Sequence, residues 1–556
     1  MVPAVLRRND ARTLTQPVRP TYAGRVTRTG TLPVLLLALC SCGTADDTAV
    51  TKPPPDTPET PGACYPTTLT LTQDLRQEDL PSAASLEHTE HGVGLGDLDG
   101  DGDLDALIGW AGGVFGLRND GTGTMTVDPT IDIDGGAVIR GTAVALADLD
   151  QDGDLDAYIG EYPTGDLLLW NDGTGRFSSE RLWEGDPELS PWSGSFGDAD
   201  GDGDLDLYIA MLVPNLEPGP VLDGSLVGGP NYLYVNQGSG RFVRDDTRIP
   251  QDNNYGLTFH AAWVDLDGDD DLDLYEANDW GYYVTPNRYL RNDGTGHFTE
   301  DSSCFCEVPM YAMGVGVGDV QGDGRPDLVV TNLNTPTLFE NYEGGMVDAT
   351  RASGAYVPPS ETNFTSWGTS FLDLDRNGCS DIAVAFGRLA YDVGLDLDGI
   401  VEDAVDPDKQ ANVLLMNDCS PAYTRLTGTD LDVFLDRDRA VAVGDLDRDG
   451  RPDLVTVGKH FVRVWMAGGG CDNGVTVRLS QPGENSAAIG ARVTLTANGR
   501  DEVMWMLPSS THSSNALELI FGLGTAASGT ITVRWPDGTE TTDIPVRAGD
   551  SPTIER

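Results

Sequence analysis

A nine-residue pattern, Asp-x-Asp-x-Asp-Gly-x-x-Asp, occurs seven times in this chain of 556 residues, beginning at Asp97, Asp148, Asp198, Asp265, Asp319, Asp373 and Asp445. The spacings are 51, 50, 67, 54, 54 and 72 residues, with the longer gaps holding insertions at roughly 212–230 and 388–411. A repeat of this kind commits the chain to one supersecondary unit used over and over. A period of about 50 residues suits a four-stranded β-sheet. Apolar runs such as Thr142–Ala147 precede the acidic loops, and runs such as Leu155–Ile159 and Asp327–Thr331 follow them. Further on come Asn-Asp-Gly-Thr-Gly segments, in Leu169–Phe177 and Leu290–Phe298. Asp-Gly between apolar runs marks a tight hairpin turn. Each unit therefore reads strand, acidic loop, strand, strand, tight turn, strand.

The expected fold is all-β: a seven-bladed β-propeller over 64–470 and a small β-rich domain over 471–556. Only two strands, 453–458 and 461–466, fit between the last acidic loop and the break expected at Gly468–Gly470. The seventh sheet thus lacks a strand. Thr67–Thr72, with its alternating Thr and Leu, can supply it and remove an open sheet edge.

The acidic loops carry the chemistry. Positions one, three, five and nine would give side-chain oxygens to one cation, and position seven a backbone carbonyl. The candidate ligand sets are Asp97, Asp99, Asp101, Asp103 and Asp105; Asp148, Asp150, Asp152, Asp154 and Asp156; Asp198, Asp200, Asp202, Asp204 and Asp206; Asp265, Asp267, Asp269, Asp271 and Asp273; Asp319, Gln321, Asp323, Arg325 and Asp327; Asp373, Asp375, Asn377, Cys379 and Asp381; Asp445, Asp447, Asp449, Arg451 and Asp453. Flexible sites of many oxygens suit Ca²⁺. Carboxylates about 4–5 Å apart repel by roughly 3–4 kcal/mol per pair at an effective dielectric near 20, so a cation is needed to hold such a loop tight. An EF-hand would need Glu at position twelve and flanking helices. Only Glu276 meets the first condition, and the flanks are strands. Asp270 in place of Gly, Gln321 and Asn377 in place of acids should weaken the fourth, fifth and sixth loops.

These loops resemble the FG-GAP/VCBS repeats of integrin-type propellers, which implies Ca²⁺ in each loop. After Cys471, the segments Leu517–Gly524, with Phe-Gly-Leu-Gly, and Ile531–Gly538, with Trp-Pro-Asp-Gly, resemble the ASPIC/UnbV domain. The serine-containing stretch Pro508–Asn515 matches that domain only loosely. The combination is similar to the cartilage acidic protein family and its bacterial relatives.

Composition supports an exported protein. The chain has 35 Lys+Arg against 89 Asp+Glu, a formal charge of -54, which disfavours nucleic acid and anionic lipid as partners. Residues 1–43 have a basic start, the apolar run Leu32–Leu39 and Cys40-Ser-Cys-Gly43, the pattern of a secretory leader. Cys42 is the candidate lipidated residue, and ordinary cleavage is the alternative. The Pro/Thr-rich stretch 44–63 reads as a tether. Six further cysteines suggest disulfides, with fifteen pairings open; closure of the ring suggests Cys64–Cys471, strand direction puts Cys379 and Cys419 on one rim, and Cys304 and Cys306 are left as the third pair. His88-Thr-Glu-His91 lacks the spacing of a helical zinc motif. Trp110, Trp170, Trp192, Trp263, Trp280 and Trp367 line either a sugar-binding face or the sheet interfaces, the latter being favoured. The expectation is a calcium-binding interaction or adhesion module for protein or glycan at the cell surface. An exported enzyme with its site on the propeller face is the alternative.

Overall fold

Each acidic loop joins two antiparallel strands, because the aliphatic runs on either side alternate with small residues that let neighbouring sheets approach. In the computed structural model the described residues are 64–76 and 91–556, apart from internal stretches at 111–112, 134–140, 162–164, 184–188, 214–225, 252–254, 334, 359–364, 388–409 and 421. The leader, the tether, Cys42, His88 and most of both insertions lie outside them. Residues 59–556 form one compact unit. No helix among the described residues is long and apolar enough to cross a membrane.

The repeats form seven sheets, each built on a core of four strands. The first sheet holds His91–Gly96, Asp105–Trp110, Gly113–Asn119 and Met125–Val127 in order. The sheets around the next five loops begin with Gly141–Ala147, Ser190–Gly197, Leu257–Val264, Val315–Gly318 and Ser366–Leu372. The last begins with Asp438–Gly444 and continues through Asp453–Gly458 and Phe461–Cys471. These seven first strands pack one against the next, and the last packs against the first, so the sheets close into a ring. This is a β-propeller. Between sheets lie apolar clusters, such as Val93, Ile108 and Trp110 with Val455, Val457 and Val464.

The last sheet is completed by Cys64–Arg76, antiparallel to Phe461–Cys471, with Thr70 opposite Met466 and Cys64 opposite Cys471. The expected break at Gly468–Gly470 is not one. Gly469 and Gly470 take φ of 70° and 66°, and the register shifts between Tyr65 and Thr68. The glycines therefore bulge the strand without ending it. Cys64–Cys471, Cys304–Cys306 and Cys379–Cys419 are disulfide-bonded.

Trp110, Trp263, Trp280 and Trp367 are buried within the sheet interfaces, while Trp192 packs edge-on against Phe259. Packing, not an exposed sugar platform, accounts for these five. Trp170, half-buried, donates to Glu180.

The residues after Cys471 form a three-stranded sheet of Leu519–Gly524, Asn473–Ser480 and Thr553–Glu555, and a four-stranded sheet of Arg500–Trp505, Arg492–Ala497, Ser528–Arg534 and Glu540–Arg547. They share a core around Val477, Val493, Phe521 and Trp535. One hairpin leaves this core. Its strands Ser509–Ser510 and Ser513–Ser514 pair antiparallel, and the second pairs with Val93 and Gly94 of the first sheet. Its surroundings place it at the centre of the ring. The His512 carbonyl accepts from Val93 N–H at 3.1 Å, and Ser514 Oγ accepts from Leu146 N–H at 3.3 Å. The His512 ring meets Trp192 edge-on, and Thr511 Oγ1 donates to the Met313 carbonyl. Asn515 Nδ2 donates to Ser370 Oγ, and Ser513 Oγ to the Val441 carbonyl. The stretch Pro508–Asn515 is thus a plug, touching residues in or beside the first strand of nearly every sheet.

Candidate metal centres

The loops are folded by their own aspartates. The first-position carboxylate accepts backbone N–H groups from inside its loop: Asp97 from Gly100 and Gly102, Asp198 from Gly201 and Gly203, Asp265 from Gly268 and Asp270, and Asp319 from Gly322 and Gly324. Asp148, Asp373 and Asp445 do the same with Gln151, Gly378 and Gly450. Wrapping the chain this tightly takes left-handed backbone at positions four and six. Position six is Gly except at Asp270, which has φ of 75°. Position four also carries Gln151, Arg376 and Arg448 at φ of 67°, 54° and 60°, a requirement hidden from the pattern.

The third- and fifth-position side chains turn back on the loop. Asp99, Asp150, Asp375 and Asp447 each accept the N–H two residues on. Asp101, Asp152, Asp202, Asp269, Asp323 and Asp449 do likewise. The result gathers oxygens. Asp97, Asp99 and Asp101 each offer one, all within 4.8 Å of each other, as do Asp265, Asp267 and Asp269. The first, third and ninth residues do so in Asp148, Asp150 and Asp156, in Asp198, Asp200 and Asp206, and in Asp373, Asp375 and Asp381.

Seventh-position side chains lie outside the groups just named. Asp103, Asp154 and Asp271 press on hairpin glycines Gly121, Gly173 and Gly294, and Asp204 lies near Gly238. Arg325 and Arg451 fold back onto Asp323 and Asp449, and Cys379 is bonded to Cys419. Gln321 turns its amide toward Asp327. Asp270 points away from its loop and pairs with Arg534 of the C-terminal segment.

The ninth residue has a second duty that sequence spacing did not reveal. Asp105, Asp156, Asp206, Asp273, Asp327, Asp381 and Asp453 are all buried. One oxygen of each accepts the N–H of the loop's second residue, from Leu98 through to Leu446. The other accepts an N–H of the third strand, from Asn119, Asn171, Asn236, Asn292, Asn341, Asn417 or Ala467. Those asparagines in turn bridge sheets. Asn119 donates to Leu446 O, Asn171 to Leu98 O, Asn292 to Ala199 O and Asn341 to Leu266 O. In three sheets the signal was the Asn before an Asp-Gly turn, at Asn119, Asn171 and Asn292; Asn236, Asn341, Asn417 and Ala467 carry no such turn after them.

Burial raises these carboxyls despite the N–H donors: Asp105, Asp156 and Asp273 to about 7, and Asp206, Asp327 and Asp453 to about 8. Asp198 and Asp265 rise to about 6, and Asp445 to about 7, again chiefly through desolvation. Groups so placed need either a proton or a cation. The donor set fits a hard cation. Asp200 Oδ1 and Asp445 Oδ1 are buried and accept no hydrogen bond. Arginines supply part of the missing charge: Arg248 lies 2.8 Å from Asp200, and Arg291 lies 2.5 Å from Asp267 and 2.9 Å from Asp269. Arg118 pairs with Asp99 and Asp128.

Loops of this geometry joining consecutive strands of a closed ring define a repeat propeller. The chain carries FG-GAP-like repeats, matched at 97–159, 148–209 and 319–384, and ends in an ASPIC and UnbV domain, matched at 481–556. No curated protein matches it in sequence. Among solved structures it is similar to a lectin of Agrocybe aegerita that recognises non-reducing terminal N-acetylglucosamine. The two are 14% identical, with 70% of this chain and 88% of that one covered and a TM-score of 0.37. The BP39L lectin of Burkholderia pseudomallei is 11% identical over 69% of this chain and 97% of its own, TM-score 0.43. YCF48 bound to D1 peptide is 12% identical over 73% and 98%, TM-score 0.37.

Proposed function

We propose that the chain is an exported, calcium-binding propeller of seven blades, one per sheet, that serves as a cell-surface or extracellular interaction module for protein or glycan. The observation that carries this reading is the convergence of three carboxylates within 4.8 Å in at least five of the loops. Ca²⁺ would supply the charge that makes these loops rigid, with side-chain oxygens from positions one, three, five and nine. Residues 64–470 are then the propeller and 471–556 a second domain seated on it. The basic, apolar and cysteine-bearing start, with Cys42 as the acylated residue, would hold it in the envelope. The layout is that of the cartilage acidic protein family.

A cavity of about 680 Å³ supports the glycan side of the reading. It lies between the fourth and fifth loops and the C-terminal residues. The half-buried Trp505 lines it together with Asp267, Asp270, Arg325 and Arg492. Aromatic faces beside hydrogen-bonding side chains are what a sugar ring presents a match for, apolar on its faces and polar at its edges. The test is a glycan array and a cell-surface pull-down, each run with calcium and with EGTA, beside metal analysis of the purified protein. Calcium in the protein and calcium-dependent capture are expected. Protein purified without calcium, whose melting does not respond to EGTA, would end this reading.

A further inference from the structure

The sixth loop departs from the others at position five, where Asn377 replaces an acid. Its amide Nδ2 donates to the Asn417 carbonyl. This loop is therefore one carboxylate short. It is also the loop against which the C-terminal segment sets a buried glutamate.

Glu502 lies on the strand Arg500–Trp505 and is 4% exposed. Its Oε2 accepts the Gly522 N–H at 3.1 Å. Its Oε1 is buried and takes part in no hydrogen bond. Gly522 is also where the segment touches the loop. A Cβ there would lie 2.0 Å from Asp373 Oδ2 and 2.3 Å from the Arg376 carbonyl carbon. One glycine thus stands against both carboxylates, and no side chain separates them there. Asp373 and Asp381 are wholly buried, and with Asp375 they form one of the converging triads. The Arg376 guanidinium donates to the Cys471 and Gly450 carbonyls and makes no hydrogen bond to these carboxylates.

Other C-terminal glutamates near the loops are differently employed. Glu518 accepts the Asp445 N–H and pairs with Arg478. Glu484 accepts from Asn236 Nδ2 and the Ser239 N–H. Glu502 has an oxygen left over in a site that lacks one.

We infer that Glu502 is a ligand of the cation held by Asp373, Asp375 and Asp381, so that the sixth loop is a divalent-cation site shared between the ring and the C-terminal segment. This rests on the reading of the loops as calcium sites. It assigns Glu502 the place that Asn377 vacates. Four carboxylates and an oxygen-rich shell suit Ca²⁺, and the ion would tie the last sheet-rich segment to the propeller.

The test counts ions. Calcium bound to wild type, Glu502→Gln and Asp97→Ala is measured by equilibrium dialysis and metal analysis, and melting is followed in calcium and in EGTA. Glu502→Gln keeps the acceptor for Gly522 and removes the charge. It should bind one ion fewer than wild type and melt higher than wild type in EGTA. Adding Asn377→Asp should restore the lost ion, which a purely structural glutamate would not allow. Unchanged stoichiometry in Glu502→Gln, while Asp97→Ala loses an ion, would overturn the assignment and leave the loop reading standing. Absence of calcium from wild type would overturn both. Should Glu502→Gln fail to fold, anomalous diffraction from Tb³⁺-soaked wild-type crystals decides. An ion about 2.3–2.6 Å from Glu502 is expected, and an ion in the loop out of its reach refutes the role.

Discussion

Replacing Gly314 by alanine probes the plug directly. A Cβ at this position would lie 1.9 Å from Thr511 Oγ1, 2.9 Å from Thr511 Cβ and 2.7 Å from the Trp367 carbonyl oxygen. Overpacking of this kind costs about 1–3 kcal/mol and sometimes more. The cost has two parts here. The Trp367 carbonyl belongs to a central strand and cannot give way alone. Thr511 could rotate, but its hydroxyl would then leave the Met313 carbonyl, to which it donates at 3.3 Å, forfeiting a buried hydrogen bond of about 1 kcal/mol. We expect Gly314→Ala to lose about 3 kcal/mol in the wild-type background and about 1–2 kcal/mol beside Thr511→Ala. The four proteins of this double-mutant cycle are compared by urea unfolding at saturating calcium. A coupling of about 1–2 kcal/mol is expected. Effects additive to within about 0.5 kcal/mol would mean that Thr511 does not sit against Gly314, and the plug would lose its support.

Two further outcomes follow from the ring and its centre. Cys64–Cys471 spans 407 residues, for which chain-entropy arguments give an upper figure of about 6 kcal/mol. The double serine variant should therefore unfold at lower urea than the oxidised protein, and a difference under about 1 kcal/mol would show that the seam holds without it. His260 is buried with neither ring nitrogen hydrogen-bonded, and desolvation, with His512 nearby, lowers it from 6.5 to about 3. Because the folded value is depressed, the unfolded chain takes up the proton first. This group's contribution is complete above pH 6.5 and is lost as pH falls toward 3, by about 1.4 kcal/mol per unit. His260→Leu should flatten the stability–pH curve between pH 6.5 and 5 by one proton's slope at saturating calcium. An identical slope would refute this.

The local parts of the architecture were legible because each is encoded within about ten residues. The acidic pattern fixed where the first and second strands of each unit meet, and Asn-Asp-Gly-Thr-Gly fixed the outer hairpin. Even the seam was readable, since Thr67–Thr72 alternates and the last unit was a strand short. What stayed hidden depends on distant pairs. The buried clamp of Asp105 needs the Asn119 N–H, brought there by the third strand. Glu502 meets Asp373 across more than a hundred residues, with nothing in the local pattern of either to announce it. Pro508–Asn515 has neither period nor apolar content. The polar side chains of Thr511, Ser513 and Asn515 make sense only beside the Met313 and Val441 carbonyls and the Ser370 hydroxyl, which lie far off in the chain.

The ends of that plug lie together, as the Asn515 N–H donates to the Pro508 carbonyl at 2.7 Å. Entry and exit therefore share one side of the ring, and no free end has to be drawn through the hole. The chain stays unknotted. The propeller can finish closing on its own, with Cys64–Arg76 zipped to Phe461–Cys471, before residues 508–515 slide in as a stopper. Leaving by the same route would break the pairing of Ser513 and Ser514 with Val93 and Gly94 but not the pairing among the four core strands of any sheet, so the ring does not depend on its stopper to stay closed.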